Sequence, residues 1–270
     1  MATGLPFRFK PFIVGMVHVG PLPGSPAFRD DANVIIDEAI ENAVALEEGG
    51  VDGILVENFY DAPYPNECAD PATIASLALI VREVKKVVSI PVGVNVLRNC
   101  CLEAMAIAHV CGASYIRVNA FSEVMVSDQG ILKPRAYDLM RYRRYLRAEH
   151  VAVLADVHVK HASPLVARPI ELVALEAVER GLADAVIVSG EATGFEANIE
   201  DLIKVKKTIS KVPIIVGSGV TAENAARYLS VADGAIVGTY FKKGRRVSRE
   251  KVRKLINSIM HLRKEVSTSV

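Results

Sequence analysis

Tryptophan is absent, and aromatic residues make up only 6% of the 270-residue chain. Surfaces that stack nucleic-acid bases need aromatics interleaved with cations, so nucleic acid is not expected as a partner. Cysteine is scarce: Cys68, Cys100, Cys101 and Cys111 are the only four, two of them adjacent and none in a C-x-x-C unit. Structural zinc normally shows such paired spacing, and the thiols read as reduced, partly buried cysteines of a cytoplasmic protein. An excess of one charge is also missing, since 32 Lys+Arg stand against 31 Asp+Glu. Near-neutrality removes any global electrostatic case for nucleic acid or an anionic membrane, and peripheral membrane association is not indicated. No apolar run approaches the roughly 18 residues of a membrane helix. Met1 to Pro11 lacks the apolar stretch of a signal peptide. No Ser/Gly-rich or low-complexity stretch divides the chain, so residues 1–270 read as a single domain with its core at about 11–262.

What is present is apolar and periodic. At 51% hydrophobic the chain can bury a large core. Short Val/Ile-rich runs predict strands at 13–18, 53–58, 92–97, 115–119, 151–158, 185–189, 214–217 and 235–238. Near-continuous hydrophobic strands belong to parallel sheets covered on both faces. Helical segments intervene. Asp30 or Asp31 can cap one with the stripe Ile36, Ile40, Ala43, Val44 and Leu46, closed by Gly49-Gly50. Asp70-Pro71 opens another carrying Ile74, Leu77, Ala78, Val81, Val84 and Val88. Pro169 opens a third with Leu172, Leu175, Ala177 and Val178, and segments 222–229 and 248–262 complete the set. Eight strand–helix units predict an α/β fold, a (β/α)8 barrel of eight parallel strands, with an open doubly wound sheet as the alternative. The longest connection, 119 to about 137, reads as a loop on the face where barrels build active sites.

Polar residues gather at the carboxyl ends of the strands: His18, Glu57, Asn58, Asn95, Arg117, Asn119, Asp156, His158, Lys160, Ser189, Ser218 and Thr239. Strand alternation puts Leu154, Asp156, His158 and Lys160 on one side, expected to face the barrel mouth as base, acid or electrostatic clamp. The bland alternative is a satisfied Asp156–His158 pair in the upper core. Gly217-Ser218-Gly219 after strand seven and Gly238-Thr239 after strand eight are placed where barrels cradle phosphate with peptide N–H groups. A tight strand-to-helix turn is the alternative there. His18, Glu57, Asp156 and His158 are ligand types for a possible divalent metal, without a specific motif. Two basic clusters, Lys133 to Arg147 and Lys242 to Lys254, read as solvated faces, helix pairing and contacts of a homo-oligomer.

The segments 15–26 (GMVHVGPLPGSP) and 50–64 (GVDGILVENFYDAPY) resemble the opening motifs of the BtpA family, named for a photosystem I biogenesis protein. Arg117-Val118-Asn119, 128–130 (DQG), 156–161 (DVHVKH), 192–194 (ATG), 216–221 (VGSGVT) and 232–239 (ADGAIVGT) extend the resemblance from about residue 13 to 254. The resemblance implies a TIM barrel. It also implies kinship with proteins affecting photosystem I accumulation in cyanobacteria, although the family occurs in organisms without photosystems too. Segment 191–198 (EATGFEAN) lacks the proline expected in relatives, and 245–248 is atypical.

The leading expectation is an enzyme acting on a small phosphorylated metabolite, of isomerase, lyase or hydrolase type. Gly217, Ser218, Gly219, Gly238 and Thr239 would hold the phosphate. Asp156 or His158 would move a proton, Lys160 or Arg117 would stabilise negative charge, and Glu57 and Asn58 would orient hydroxyls. The alternative is a non-catalytic factor for biogenesis or stability of a membrane complex.

Overall fold

The computed structural model describes residues 4–29 and 31–265. Eight strands close into a parallel barrel: β1 (Phe12–His18), β2 (Gly53–Glu57), β3 (Val92–Asn95), β4 (Tyr115–Val118), β5 (Ala152–Val157), β6 (Ala185–Val188), β7 (Ile214–Val216) and β8 (Gly234–Val237). Each pairs with the next in sequence, and β8 returns to β1 through Val237 opposite Gly15. Helices α1 (Ala32–Gly49), α2 (Pro71–Val87), α3 (Cys101–Cys111), α4 (Ala136–Tyr145), α5 (Ile170–Glu179), α6 (Ile199–Thr208), α7 (Ala225–Leu229) and α8 (Arg249–Ile259) follow the strands in turn.

The caps explain several helix limits. Asp31 accepts the Asn33 amide at the start of α1, whereas Asp30 lies outside the described residues. Asp70 accepts the Ala72 and Thr73 amides ahead of Pro71. Two apolar stripes differ from expectation. In α1 the fully buried line is Ile35, Ala39, Ala43 and Leu46, one residue earlier than Ile36 and Ile40. In α5 it is Ile170, Val173, Ala174, Ala177 and Val178, leaving Leu172 46% exposed. Both helices are apolar around more than one face, so periodicity alone does not choose the buried side.

Strand alternation makes two cores. Val153, Ala155 and Val157 of β5 face the helices, with the outer shell of Val, Ile, Leu and Ala residues. Leu154 faces the barrel axis with Phe12, Val14, Met16, Leu55, Tyr115, Ile187, Ile215 and Ile236. Phe7, preceding β1, plugs the amino-terminal end. Its ring stacks on Phe12 at 4.3 Å and meets the edge of Tyr115 at 5.3 Å. So large a ring as Tyr115 fits a narrow barrel only because its neighbour on β3 is Gly93. A Cβ there would lie 2.1 Å from the Tyr115 ring.

The same end carries a repeated clamp. Asp52, Asp184 and Asp233 each stand just before a strand and accept a peptide N–H from the strand preceding or following in the barrel. The donors are Ile13, Val153 and Ile214, at 2.7–2.8 Å. Arg263, Arg143 and Lys206 respectively neutralise these buried carboxylates. Arg143 thus leaves the expected solvated basic face and becomes part of the frame.

The opposite end is built up further. Segment 119–137 is not a loop throughout. Met125–Ser127 and Gly130–Leu132 form a hairpin that takes Ala162–Pro164, from beyond β5, as a third strand. The hairpin therefore ties the connection after β4 to the one after β5. Among the described residues, no helix is long and apolar enough to cross a membrane.

Candidate active site

The floor of the mouth is an array of buried polar side chains on adjacent strands. Arg117 of β4 forks onto Asp156 of β5, with Nε–Oδ2 2.8 Å and Nη2–Oδ1 2.9 Å. The Asn119 amide donates to the same carboxylate at 2.8 Å. Burial works against the Arg117 charge, but Asp156 raises its pKa above the ordinary value. Asn95 of β3 donates to Glu57 of β2 at 2.5 Å. The second Glu57 oxygen stands 3.8 Å from His18 Nε2. His18 lies flat on Phe59, ring centroids 4.1 Å apart and 13° between planes. Burial drives its pKa well below the usual value, and Lys242, Lys160 and Arg117 push the same way. The imidazole is therefore neutral at pH 7.

Two chambers open above this floor, sharing Glu57, Arg117, Lys160 and Thr193 as their common wall. Lys160 Nζ has no acceptor or ion-pair partner among the described residues. Burial lowers its pKa to about 8, with Arg117 adding to the effect. It is a cation close to releasing its proton at neutral pH, suited to proton transfer or to stabilising developing negative charge.

The first chamber, about 150 Å³, is lined by the loops after β7 and β8. The peptide N–H groups of Ser218, Gly219, Val220 and Gly238 have no acceptor among the described residues. All four residues line this chamber, and Thr239 and Tyr240 complete that side of it. Side chains behind the loop hold it in that shape. Asn224 donates to the Gly219 carbonyl at 2.9 Å and accepts the Thr221 amide at 2.8 Å. Ser218 accepts the Gly190 amide at 2.7 Å and donates to the Phe195 carbonyl at 2.8 Å. The Ser218 hydroxyl is thus spent on the frame. Gly217 is demanded by crowding, since a Cβ would meet Ser189 Oγ at 2.4 Å. Thr193 and Gly194, within the atypical 191–198 segment, reach this chamber as well.

The second chamber, about 380 Å³, is lined by Phe59, Tyr64, Leu97, Arg98, Asn119, Asp128, Gln129 and His161 beside the shared wall. Thr193 closes it against His161, whose Nε2 receives the Thr193 amide at 3.1 Å.

The structure places four of the expected residues off both chambers. His158 does not share the inward side with Asp156. Strand β5 ends at Val157, and His158 adopts φ +47°, which swings the chain off the strand register. Its amide donates to Glu123 at 2.6 Å and its Nε2 faces the same carboxylate at 3.5 Å, away from both chambers. Asp156 lies beneath the floor, sealed by Arg117 and Asn119, and lines neither chamber; it positions Arg117. Asn58, also off the chambers, is a strut: it accepts the Leu97 amide at 2.8 Å and donates to Asp61. Asn95 is likewise covered and acts through Glu57. The possible metal set therefore does not assemble, and among the described residues no three His, Cys, Asp or Glu side chains form a metal-binding group.

Sequence reasoning missed Arg98, Phe59, Tyr64, Asp128, Gln129 and Thr193. They lie in loops beyond the strand ends, where strand alternation has no say. It also placed Lys242 on a solvated face, yet that side chain is only 9% exposed and its Nζ is buried without a hydrogen-bond partner. The rest of the basic clusters is largely paired across helices, as in Arg246–Glu41, Arg249–Glu48 and Lys254–Glu223.

The sequence model of the BtpA family matches residues 9–261. The chain belongs to the BtpA family. An uncharacterised protein from Methanocaldococcus jannaschii is 46% identical over 255 residues, covering 93% of this chain and 95% of the relative. The photosystem I biogenesis protein BtpA of Synechocystis is 44% identical over 231 residues, covering 86% and 80%. Among solved structures, thiamine phosphate pyrophosphorylase from Pyrococcus furiosus superposes with a TM-score of 0.57 at 15% identity, covering 93% of this chain and 95% of that one. Phosphoribosyl anthranilate isomerase from Thermus thermophilus gives 0.57 at 12% identity, covering 93% and 99%. At these identities the likeness concerns the TIM-barrel fold of this BtpA-family chain.

Proposed function

We propose that this BtpA-family barrel is an enzyme acting on a small phosphorylated metabolite, its phosphate held by the peptide N–H groups after β7 and β8. The observation that carries the reading is the set of four peptide donors without acceptors among the described residues, all lining one chamber, next to an unpaired lysine. Peptide N–H groups left without partners cost free energy unless a ligand or water satisfies them. Fixed donors pointed at one place favour an anion. The structural neighbours named above include proteins whose names refer to phosphorylated compounds, which supports the same reading. Lys160 is the candidate for proton transfer or charge stabilisation, with neutral His18 and Glu57 across the same wall. Arg117, fixed by Asp156, supplies positive potential from below. The set suits isomerase or lyase chemistry.

Calorimetric titration with inorganic phosphate tests the cradle. Thr239 is exposed at the rim of the first chamber, so Thr239→Glu brings a carboxylate there without disturbing the core. It is expected to abolish phosphate binding while leaving the melting temperature unchanged. Equal binding by both forms would remove the reading. The name of the Synechocystis relative favours a second one, a non-catalytic factor for biogenesis of a membrane complex. Complementation in a strain lacking the corresponding gene separates the two: an assembly role survives Lys160→Met, an enzymatic role does not.

A further inference from the structure

We propose that the substrate carries a second anionic group, a carboxylate, bound in the second chamber by Arg98 and Lys160. This rests on the phosphate reading above and narrows the substrate class to small phosphorylated carboxylic acids. The argument is one of charge partnership. Buried Arg117 and Arg143 and partly buried Arg263 each touch a carboxylate. Arg98, 5% exposed, has none within ion-pair distance among the described residues. Its Nη2 donates only to the Lys160 carbonyl, and its Nε is buried with no acceptor. Lys160 Nζ is equally without a partner, and both side chains line the same chamber.

The carboxylates nearby are already engaged. Asp156 is held by Arg117 and Asn119, Glu57 by Asn95, and Asp128 by the Gln129 amide. A buried guanidinium lacking a counter-charge is unfavourable, and its planar donors match a carboxylate. Phe59 and Leu97 on the same chamber's lining limit water and strengthen such a contact. The phosphate cradle lies across the shared wall, so one ligand spanning it presents phosphate to one side and carboxylate to the other.

Matched probes test this by calorimetry: 3-phosphoglycerate against glycerol 3-phosphate, and 6-phosphogluconate against glucitol 6-phosphate. Each pair differs in a carboxylate replaced by a hydroxymethyl group. At least one acid is expected to bind about tenfold or more tightly than its alcohol, the usual worth of a charge-assisted contact. Arg98→Gln is expected to erase that difference, and Arg98→Lys to retain part of it. Lys160→Gln provides a second reading should Arg98→Gln not fold. Acids binding no better than alcohols in either pair would overturn the proposal, as would an Arg98→Gln loss equal for acid, alcohol and inorganic phosphate. Failure of the phosphate reading is seen separately, as wild-type protein that does not bind inorganic phosphate at all.

Discussion

Lys242 and Arg117 are both buried cations at the same end of the barrel, and their surroundings give them opposite consequences. Burial lowers the Lys242 pKa from 10.5 to about 7, against the pull of Glu57 and Glu38. Between those values the unfolded chain binds more protons than the folded one, so stability rises with pH across the window. One such group contributes at most about 1.4 kcal/mol per pH unit. Lys242→Met keeps the chain length and removes the amine. Urea unfolding at pH 7, 8 and 9 is expected to show wild type gaining on this variant as pH rises; parallel pH dependences would show that the amine is hydrated. Arg117 is instead fully matched by Asp156. Arg117→Met leaves a buried carboxylate without its cation, and the loss expected from denaturant unfolding is about 3–5 kcal/mol. Adding Asp156→Leu to that variant should recover much of it, because the orphaned charge is then gone.

At the scale of elements, the strands were legible because a parallel strand covered on both faces must be apolar nearly throughout. The register that fixes them depends on pairs such as Gly93 and Tyr115, which no single segment announces. Gly93→Ala forces a methyl against the Tyr115 ring, and overpacking of this kind costs about 1–3 kcal/mol. A Tyr115→Phe background would relieve little of it, because the clash involves ring carbons; thermal melts of the single and double variants check this. The hairpin at 125–132 escaped notice for a physical reason. Its strands are three residues each, too short for a period to show, and its third partner lies some thirty residues onward. Likewise His158 follows the alternation of β5 on paper, and one left-handed residue ends that alternation.

The whole molecule divides its labour between two ends. Phe7, Tyr115 and the Asp52, Asp184 and Asp233 clamps hold the amino-terminal end shut, while the carboxyl ends carry the chambers. Phe7→Ala is expected to lose about 3–5 kcal/mol of stability with no change in phosphate affinity, the reverse of Thr239→Glu. Unfolding curves and calorimetry on both variants would expose any crossover between the two ends.

The sequence by itself determined the barrel, its strand order and the rim on which polar groups collect. Apolar periodicity and caps are local consequences of backbone geometry. It also placed His18, Glu57, Arg117, Asn119, Lys160, Gly217, Gly219, Gly238 and Thr239 at that rim, and all of them line the chambers. Only the tertiary structure decided which polar groups face a ligand and which serve the frame. Asp156, Asn58, Asn95 and the Ser218 hydroxyl are consumed by partners on other strands and loops, whereas the side-chain charges of Arg98 and Lys160 have no carboxylate partner among the described residues. Whether a charge is spent or free depends on what distant segments bring within three ångströms of it, and that distance exists only in the closed barrel.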